Sequence, residues 1–537
     1  MADGGYDVSD FVTRESLGGE EAFKRFMKQA VDLNMRVITD AVFNHTSTAH
    51  DWFQKALAGD EKYLAFYVQR NGREKVAEWD RNGDIVCQYR DPDGTITERV
   101  VVFPDIDRTH GLWAEIHGRT YQFYRGFFPF QVDLNLQNPD VLSELFRVLA
   151  REVKQGVVGK RMDAIAHWIK QPGCASEGLP ECHALQGLLK SFLSHINSRC
   201  ILMPEVVRDM ANASQYAGSE TWITSSRTTS EGDAILSFEM QGALREATYF
   251  QTVAPYWQKV FRSPSLPGGS TWINLLEHHD ETFMGFFEPE VRVWMCEYIK
   301  THGGAVYKNG MSAGGRLADC LNAHPRRIAT ALFLLYITPG TPLVYAGTEI
   351  GARSQASHAD AQMVRSHDTF QKLGVYAAQR SCYDARELQR GPLRREAFDR
   401  AVSEGYEATE MVRRLNRVRR TRRWMREGGA KAVDSGDVGV LCMGRGAPDD
   451  TRDRALCVAN LTGVVKWAAV PVRQAAACLA AESGPEAWVD DVRERRRRFV
   501  DVVSGQPVEP AVDDAKMVVM FRLEAFACAA VEEVASG

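Results

Sequence analysis

The amino-acid sequence predicts an α/β fold, a (βα)8 barrel of the TIM type with an inserted subdomain and a C-terminal antiparallel β domain. Three observations predict it. Amphipathic helical stretches alternate with short apolar runs, those runs end in clusters of carboxylates and histidines, and beyond about residue 425 β-prone segments take over. Alternating βα units imply a parallel sheet, and a barrel gathers polar clusters at strand C-termini onto one face. A doubly wound sheet would want a Gly-rich phosphate turn after its first strand, and none is visible.

Residues 19–33 place Phe23, Phe26, Met27, Ala30 and Val31 on one side of an amphipathic helix. The run Arg36–Val42 reads as a buried strand that opens onto Asp40, Asn44 and His45. A helical stretch over 141–154 leads to a short strand from Gly159 that ends around Asp163, and another near 183–196 leads through Cys200–Met203 to Glu205. Thr271–Leu276 runs to His278-His279-Asp280, and Pro342–Ala346 runs to Gly347-Thr-Glu349. Residues 48–135 break the alternation with turn signals between β-prone pieces and read as the inserted subdomain. The barrel is therefore assigned to 1–47 and 136–425, and a C-terminal β-sandwich to 426–537, with strands at Val438–Cys442, Ala455–Ala459, Val464–Trp467 and Met517–Phe521.

The 537 residues suit two or three structural units, and 25% charged with 45% hydrophobic residues is an ordinary globular balance. A formal charge of −5 gives no electrostatic reason to invoke nucleic acid or an anionic membrane. The eleven cysteines contain no Cys-x-x-Cys pair, which fits free thiols in a reducing compartment. The start MADGGYDVSD lacks the basic and apolar segments of a secretory signal, and no run of about 18 apolar residues could span a bilayer. A cytoplasmic protein acting on a neutral or small partner is expected.

The strand-end clusters resemble, in content and order, the signature regions of glycoside hydrolase family 13, the α-amylase superfamily. Asp40-Ala-Val-Phe-Asn-His45 resembles the first region, Arg161-Met-Asp-Ala164 the second, Pro204-Glu205-Val the third and His278-His279-Asp280 the fourth. Val132–Pro139 is similar to the segment that closes the inserted subdomain, and Thr341–Glu349 to the eighth-strand motif. Trp168-Ile-Lys-Gln, Leu179-Pro-Glu-Cys-His183 and Arg316-Leu-Ala-Asp resemble the branch of amylosucrases, sucrose phosphorylases and trehalose-synthase-like members. In relatives the Asp-x-Gly-Tyr segment follows the first two strands and first helix. Here Asp3-Gly-Gly-Tyr6 lies almost at Met1, so the resemblance implies a barrel lacking its first strands.

The resemblance implies a retaining α-glucoside-processing enzyme, with Asp163 as nucleophile, Glu205 as general acid/base and Asp280 gripping sugar hydroxyls. Retention needs two carboxyl groups about 5–5.5 Å apart, one ionised and one protonated. Arg161 is expected to keep Asp163 ionised, and neighbouring charge with desolvation to keep Glu205 protonated. His45 and His279 match histidines that bond the sugar, Tyr6 an aromatic stacked beneath it, and Asp3 an acid that anchors the terminal glucose. His167 is placed at the acceptor side. Substrates would be sucrose, maltose, trehalose or maltooligosaccharides, with water, phosphate or a sugar as acceptor. The rival is a non-catalytic, carbohydrate-binding relative.

Each residue alone has a plainer reading. A strand-end Asp is often a helix N-cap, and it is the ordered set with Arg161 that favours catalysis. His278 is ambiguous, and Phe127, Phe128 and Phe130 read as subdomain packing. The turn Asp80–Asp84 lacks the bidentate Glu of a calcium loop and reads as a hairpin turn. No cofactor or metal ligand set is assigned, although Asn44 and the subdomain could hold the calcium seen in some relatives. The basic runs 413–423 and 493–498 read as solvated faces, and the Asn460 sequon as idle.

Overall fold

The computed structural model describes residues 3–223, 226–372, 384–450, 452–479 and 484–534. Cys382 lies outside them, and the other ten cysteines are unpaired.

Six parallel strands form the N-terminal part: β1 (Ile38–Ala41), β2 (Gly159–Met162), β3 (Ile201–Pro204), β4 (Ala234–Leu236), β5 (Thr271–Leu275) and β6 (Thr341–Leu343). The first three make one sheet, β2 in the middle, and the last three another with β5 in the middle. Asp233 joins them: its N–H donates to Leu202 O (2.8 Å) and its carboxylate accepts from Leu202 N–H (2.7 Å). Lys190 bonds both oxygens of that carboxylate at 2.6 Å, so the buried charge is paired. The resemblance implied a barrel short of its first strands, and among the described residues the six strands form two sheets and no closed circuit. β1 and β6 are edges, each with one strand neighbour.

Helices return the chain between strands. α1 (Gly19–Asp32) precedes β1, and α2 (Pro139–Lys154) precedes β2. α2 begins at Asn138, whose side chain accepts from Asp140 N–H (2.9 Å) with Pro139 in the first turn, and it buries Val141, Leu145, Val148, Leu149 and Val153. α1 departs from expectation. Only Met27 and Ala30 of its apolar side are buried, whereas Phe26, Val31 and the following Leu33 are exposed, at 51%, 67% and 71%. Its first turn is tied instead to the end of α2, where the Gln155 amide donates to Glu20 (2.6 Å). α3 (Pro180–Ile196) precedes β3, α4 (Phe238–Phe250) follows β4, and α5 (Pro325–Ile337), almost wholly buried, precedes β6.

Between β1 and α2, a three-stranded antiparallel sheet (Glu74–Arg81, Asp84–Arg90, Ile96–Val100) and a hairpin (Gly111–Ile116, Arg119–Tyr124) stand off the barrel. Asn82 and Gly83, with φ of +58° and +102°, turn the first hairpin in the manner of a type I′ turn. His45–Ser47 pairs with Gln131–Asp133 and ties this excursion back to the end of β1.

Past residue 428 a six-stranded antiparallel sheet lies under a three-stranded one. Two helices, Val472–Leu479 and Pro485–Arg493, were not anticipated from the sequence. Asn460 is fully buried, its amide donating to Val464 O (2.7 Å) and Glu524 O (2.9 Å), so the sequon is structural.

Candidate active site

The strand ladder sets the central pair. Asp163 N–H donates to Ala41 O (3.2 Å) just past β2, and Glu205 N–H donates to Met162 O (3.0 Å) just past β3. The two acids therefore emerge from adjacent strands at the same level. Ala164 takes φ +48°, a left-handed conformation that costs a side-chain-bearing residue on the order of 1–3 kcal/mol. The kink turns its N–H to Glu205 Oε2 (3.1 Å), while Trp168 Nε1 donates to Asp163 O (2.9 Å) and holds the turn.

One guanidinium serves both acids. Arg161 Nη1 bonds Asp163 Oδ1 (3.2 Å), Asp40 Oδ1 (2.5 Å) and the Tyr6 hydroxyl (3.2 Å), its Nη2 bonds Glu205 Oε1, and Asp280 Oδ2 lies at 3.9 Å. Shared among four carboxylates, Arg161 does not hold Asp163 down as expected. Burial, with Asp40 and Asp280 nearby, pushes that carboxyl up to about 6 against the pull of Arg161. Glu205 is pushed further, to about 8, by burial with Asp163 and Asp280 adding and Arg161 opposing. Burial also works against Asp280, but His279, Arg390 and Arg386 outweigh it and hold that carboxyl well below the usual range.

Asp3, Tyr6, Asp163, Glu205 and Asp280 line one cavity of about 470 Å3, within the range of pockets that enclose a small ligand. His45 and His167 line it too. Both ring nitrogens of His45 are engaged by the protein: Nε2 lies 3.0 Å from Tyr6 O, and Nδ1 lies 3.1 Å from the Asn44 amide nitrogen. Burial keeps the ring below its ordinary value, hence neutral. His279 sits behind the wall, stacked on Tyr6 at 5.4 Å, with Nε2 2.8 Å from the Tyr6 hydroxyl and 3.0 Å from Asp280. Its neighbour His278 faces the cavity instead, with a pKa pushed down to about 3 by burial. Phe127 also lines it, its ring 5.5 Å from both His45 and His167, whereas Phe128 and Phe130 pack with Phe103 and Ile106.

Arg386 and Arg390 escaped the sequence reading. Arg386 bonds Asp3 (3.0 Å), Asp280 (3.2 Å) and Asp384 (2.7 Å), and Arg390 bonds Asp3 (3.0 Å), Asp280 (2.6 Å) and Glu387 (3.1 Å). Their 386/390 spacing resembles any surface helix pair, so only the tertiary contacts expose them.

A metal fits poorly here. Lys170, buried, reaches both Asn44 Oδ1 and Asp133 Oδ2 (2.7 Å for the latter), so an ammonium already stands between the oxygens a calcium ion would need. Among the described residues two other groups bring possible donor atoms together, His278–His279–Asp280 and Asp3–Asp384–Glu387. Their carboxylates are bonded to Arg386 and Arg390 instead. The turn at Asp80–Asp84 closes a hairpin, with Asp80 Oδ1 accepting from Gly83 N–H (2.8 Å).

Parallel strands with helical returns, three carboxyls at their C-terminal ends and a β domain behind them make the architecture of a TIM-type domain with a cavity at its strand ends. Residues 1–248 match the family model described as Alpha amylase, catalytic domain. The chain is 28% identical over 369 residues to the trehalose synthase of Pimelobacter sp. (strain R48), covering 68% of this chain and 60% of that protein. It is 28% identical over 354 residues to the trehalose synthase/amylase TreS of Mycolicibacterium smegmatis, covering 65% and 55%. It thus spans between half and two thirds of the length of these curated relatives. The structure of an α-amylase from H. orenii superposes with a TM-score of 0.65 at 17% identity, over 98% of this chain and 87% of the other. The N-terminal 248 residues thus carry the α-amylase catalytic-domain pattern, and the curated relatives named here are similar to the chain at 28% identity.

Proposed function

We propose that this protein is a retaining α-glucoside-processing enzyme, an α-glucosidase or transglucosylase acting on small glucosides such as sucrose, maltose, trehalose or maltooligosaccharides. The supporting observation is the pair Asp163 and Glu205: side by side at strand ends, lining one cavity, with carboxyls near 6 and near 8. Around neutral pH one is ionised and the other protonated, the division of labour that retention requires. Asp163 attacks C1 of the glucosyl unit while Glu205 gives its proton to the departing glycosidic oxygen. The ionised Glu205 then takes a proton from the acceptor hydroxyl as that oxygen displaces Asp163 from C1. Asp280, kept anionic by its arginines, would grip ring hydroxyls; Tyr6 offers an apolar face, and Asp3 with Arg386 closes the far side.

The substrate relation is supported by the relatives named as trehalose synthases. The chemistry runs without calcium, since Lys170 supplies the positive charge beside Asp133. Unpaired cysteines, and the lack among the described residues of any helix long and apolar enough to cross a membrane, support a cytoplasmic setting. The intact acids speak against a purely binding role.

The protein incubated with sucrose, maltose or trehalose is expected to yield glucose or a rearranged disaccharide, read by chromatography. Asp163→Asn should lower turnover about a thousandfold or more while the circular dichroism spectrum holds. A folded protein that turns over no α-glucoside, or an active Asp163→Asn variant, overturns the proposal.

A further inference from the structure

Resting on that reading of Asp163 and Glu205, the structure points to the acceptor. We infer that Glu177 and Arg208, with Asp84 across from them, form the subsite for the leaving and accepting group, and that this group is a neutral, hydroxyl-rich sugar rather than phosphate.

Glu205 must deliver its proton to the glycosidic oxygen, so the second ring has to lie against the loop that carries Glu205. That loop continues through Val206 and Val207 to Arg208, all three lining the cavity. Arg208 Nη2 is 2.5 Å from Glu177 Oε2, and the other oxygen of Glu177 is 3.8 Å from His167 Nε2. Glu177 comes from the loop that follows Asp163, so the pair joins the two catalytic loops. Asp84 comes from the tip of the 74–90 hairpin and lines the same cavity. That tip is tied down on the far side by Asn309, whose amide donates to Asp80 (2.6 Å). A guanidinium and two carboxylates around a half-open space present both donors and acceptors, the mixture that sugar hydroxyls need.

Charge at the Arg208–Glu177 pair works against a dianion. The six cations lining the cavity are Arg81, Arg99, Lys170, Arg208, Lys308 and Arg386. Five face a carboxylate of their own: Glu98, Asp133, Glu177, Glu281 and, for Arg386, Asp3. The sixth, Arg99, donates to the carbonyl oxygens of Gln171 and Cys174 and to the Ser176 hydroxyl. A phosphate at Arg208 would have to displace Glu177 from its cation, whereas a sugar hydroxyl adds to the pair already made.

The test compares two substrates that share the glucosyl unit and differ in the leaving group: the best disaccharide and α-glucosyl fluoride. Arg208→Met and Glu177→Gln should each lower the ratio of kcat/KM for disaccharide over fluoride by about ten- to hundredfold, the weight of a hydrogen bond to a charged group. Excess inorganic phosphate should produce no glucose 1-phosphate. An unchanged ratio in both variants, with fluoride still turned over, overturns the subsite, and glucose 1-phosphate as the main product overturns the acceptor class. Wild-type protein inert toward both substrates removes the catalytic reading, and this one with it.

Discussion

At the scale of single residues, Glu205 is where function works against folding. In the folded protein its carboxyl titrates near 8, while an unfolded glutamate titrates near 4.5. Between those values the folded state holds a proton that the unfolded state has released, so stability falls as pH rises through that window. Glu205→Gln removes the cost. It should raise the melting temperature, most above pH 8 and little near pH 4.5, while eliminating disaccharide cleavage. The same two carboxyls set the rate profile. Activity should rise as Asp163 loses its proton near pH 6 and fall as Glu205 loses its own near pH 8, giving a bell in kcat/KM. A profile still climbing past pH 9 would contradict the assignment of Glu205 as acid. The identities of Asp163, Glu205 and Asp280 as candidates were legible from ordered motifs. That Arg161 is divided among four carboxylates, and so fails to hold Asp163 low, was not, because Asp40, Glu205 and Asp280 are far from it in sequence.

Among the elements, the loop after β2 does more than carry Asp163. Lys170 spans from that loop to Asn44, after β1, and to Asp133, on the strand that closes the inserted excursion. Lys170→Met leaves the Asp133 charge buried without its counterion, a loss of about 3–5 kcal/mol. Lys170→Met with Asp133→Asn should recover much of it, as read by denaturant unfolding. Full additivity of the two substitutions would show that they do not act through each other. The end of β2 near Asp163 and the helical stretch of α2 over 141–154 could be read from apolar spacing, though not its start at Pro139. The exposed side of α1 could not, since helical periodicity says which face is apolar but not whether another layer covers it.

For the molecule as a whole, the six-stranded C-terminal sheet is buried on both sides. Leu441, Met443, Ala455, Cys457 and Ala459 join the core that also holds Leu332 and Leu334 of α5, while Val440, Cys442, Leu456 and Val458 face the smaller sheet. Arg445, fully buried, reaches from this sheet to the carbonyl of Ile337 at the end of α5 and to that of Trp424 (3.0 Å). With a core in common, barrel and β domain should melt as one. Calorimetry is expected to show a single transition, and a chain ending at residue 425 should be insoluble, its α5 face stripped of cover. Two well-separated transitions would disprove the coupling. By itself the sequence pointed to five of the six parallel strands, Ala234–Leu236 being the exception, to the polar clusters at their ends and to three candidate acids, because period, apolar runs and motif order are local properties of the chain. Only the tertiary structure decided that Arg386 and Arg390 clamp Asp3 to Asp280, that Lys170 takes the place of a cation, and that Glu177 meets Arg208 beside the acid. Those contacts join residues up to several hundred positions apart, and their energies depend on burial and mutual distance, which no local pattern encodes.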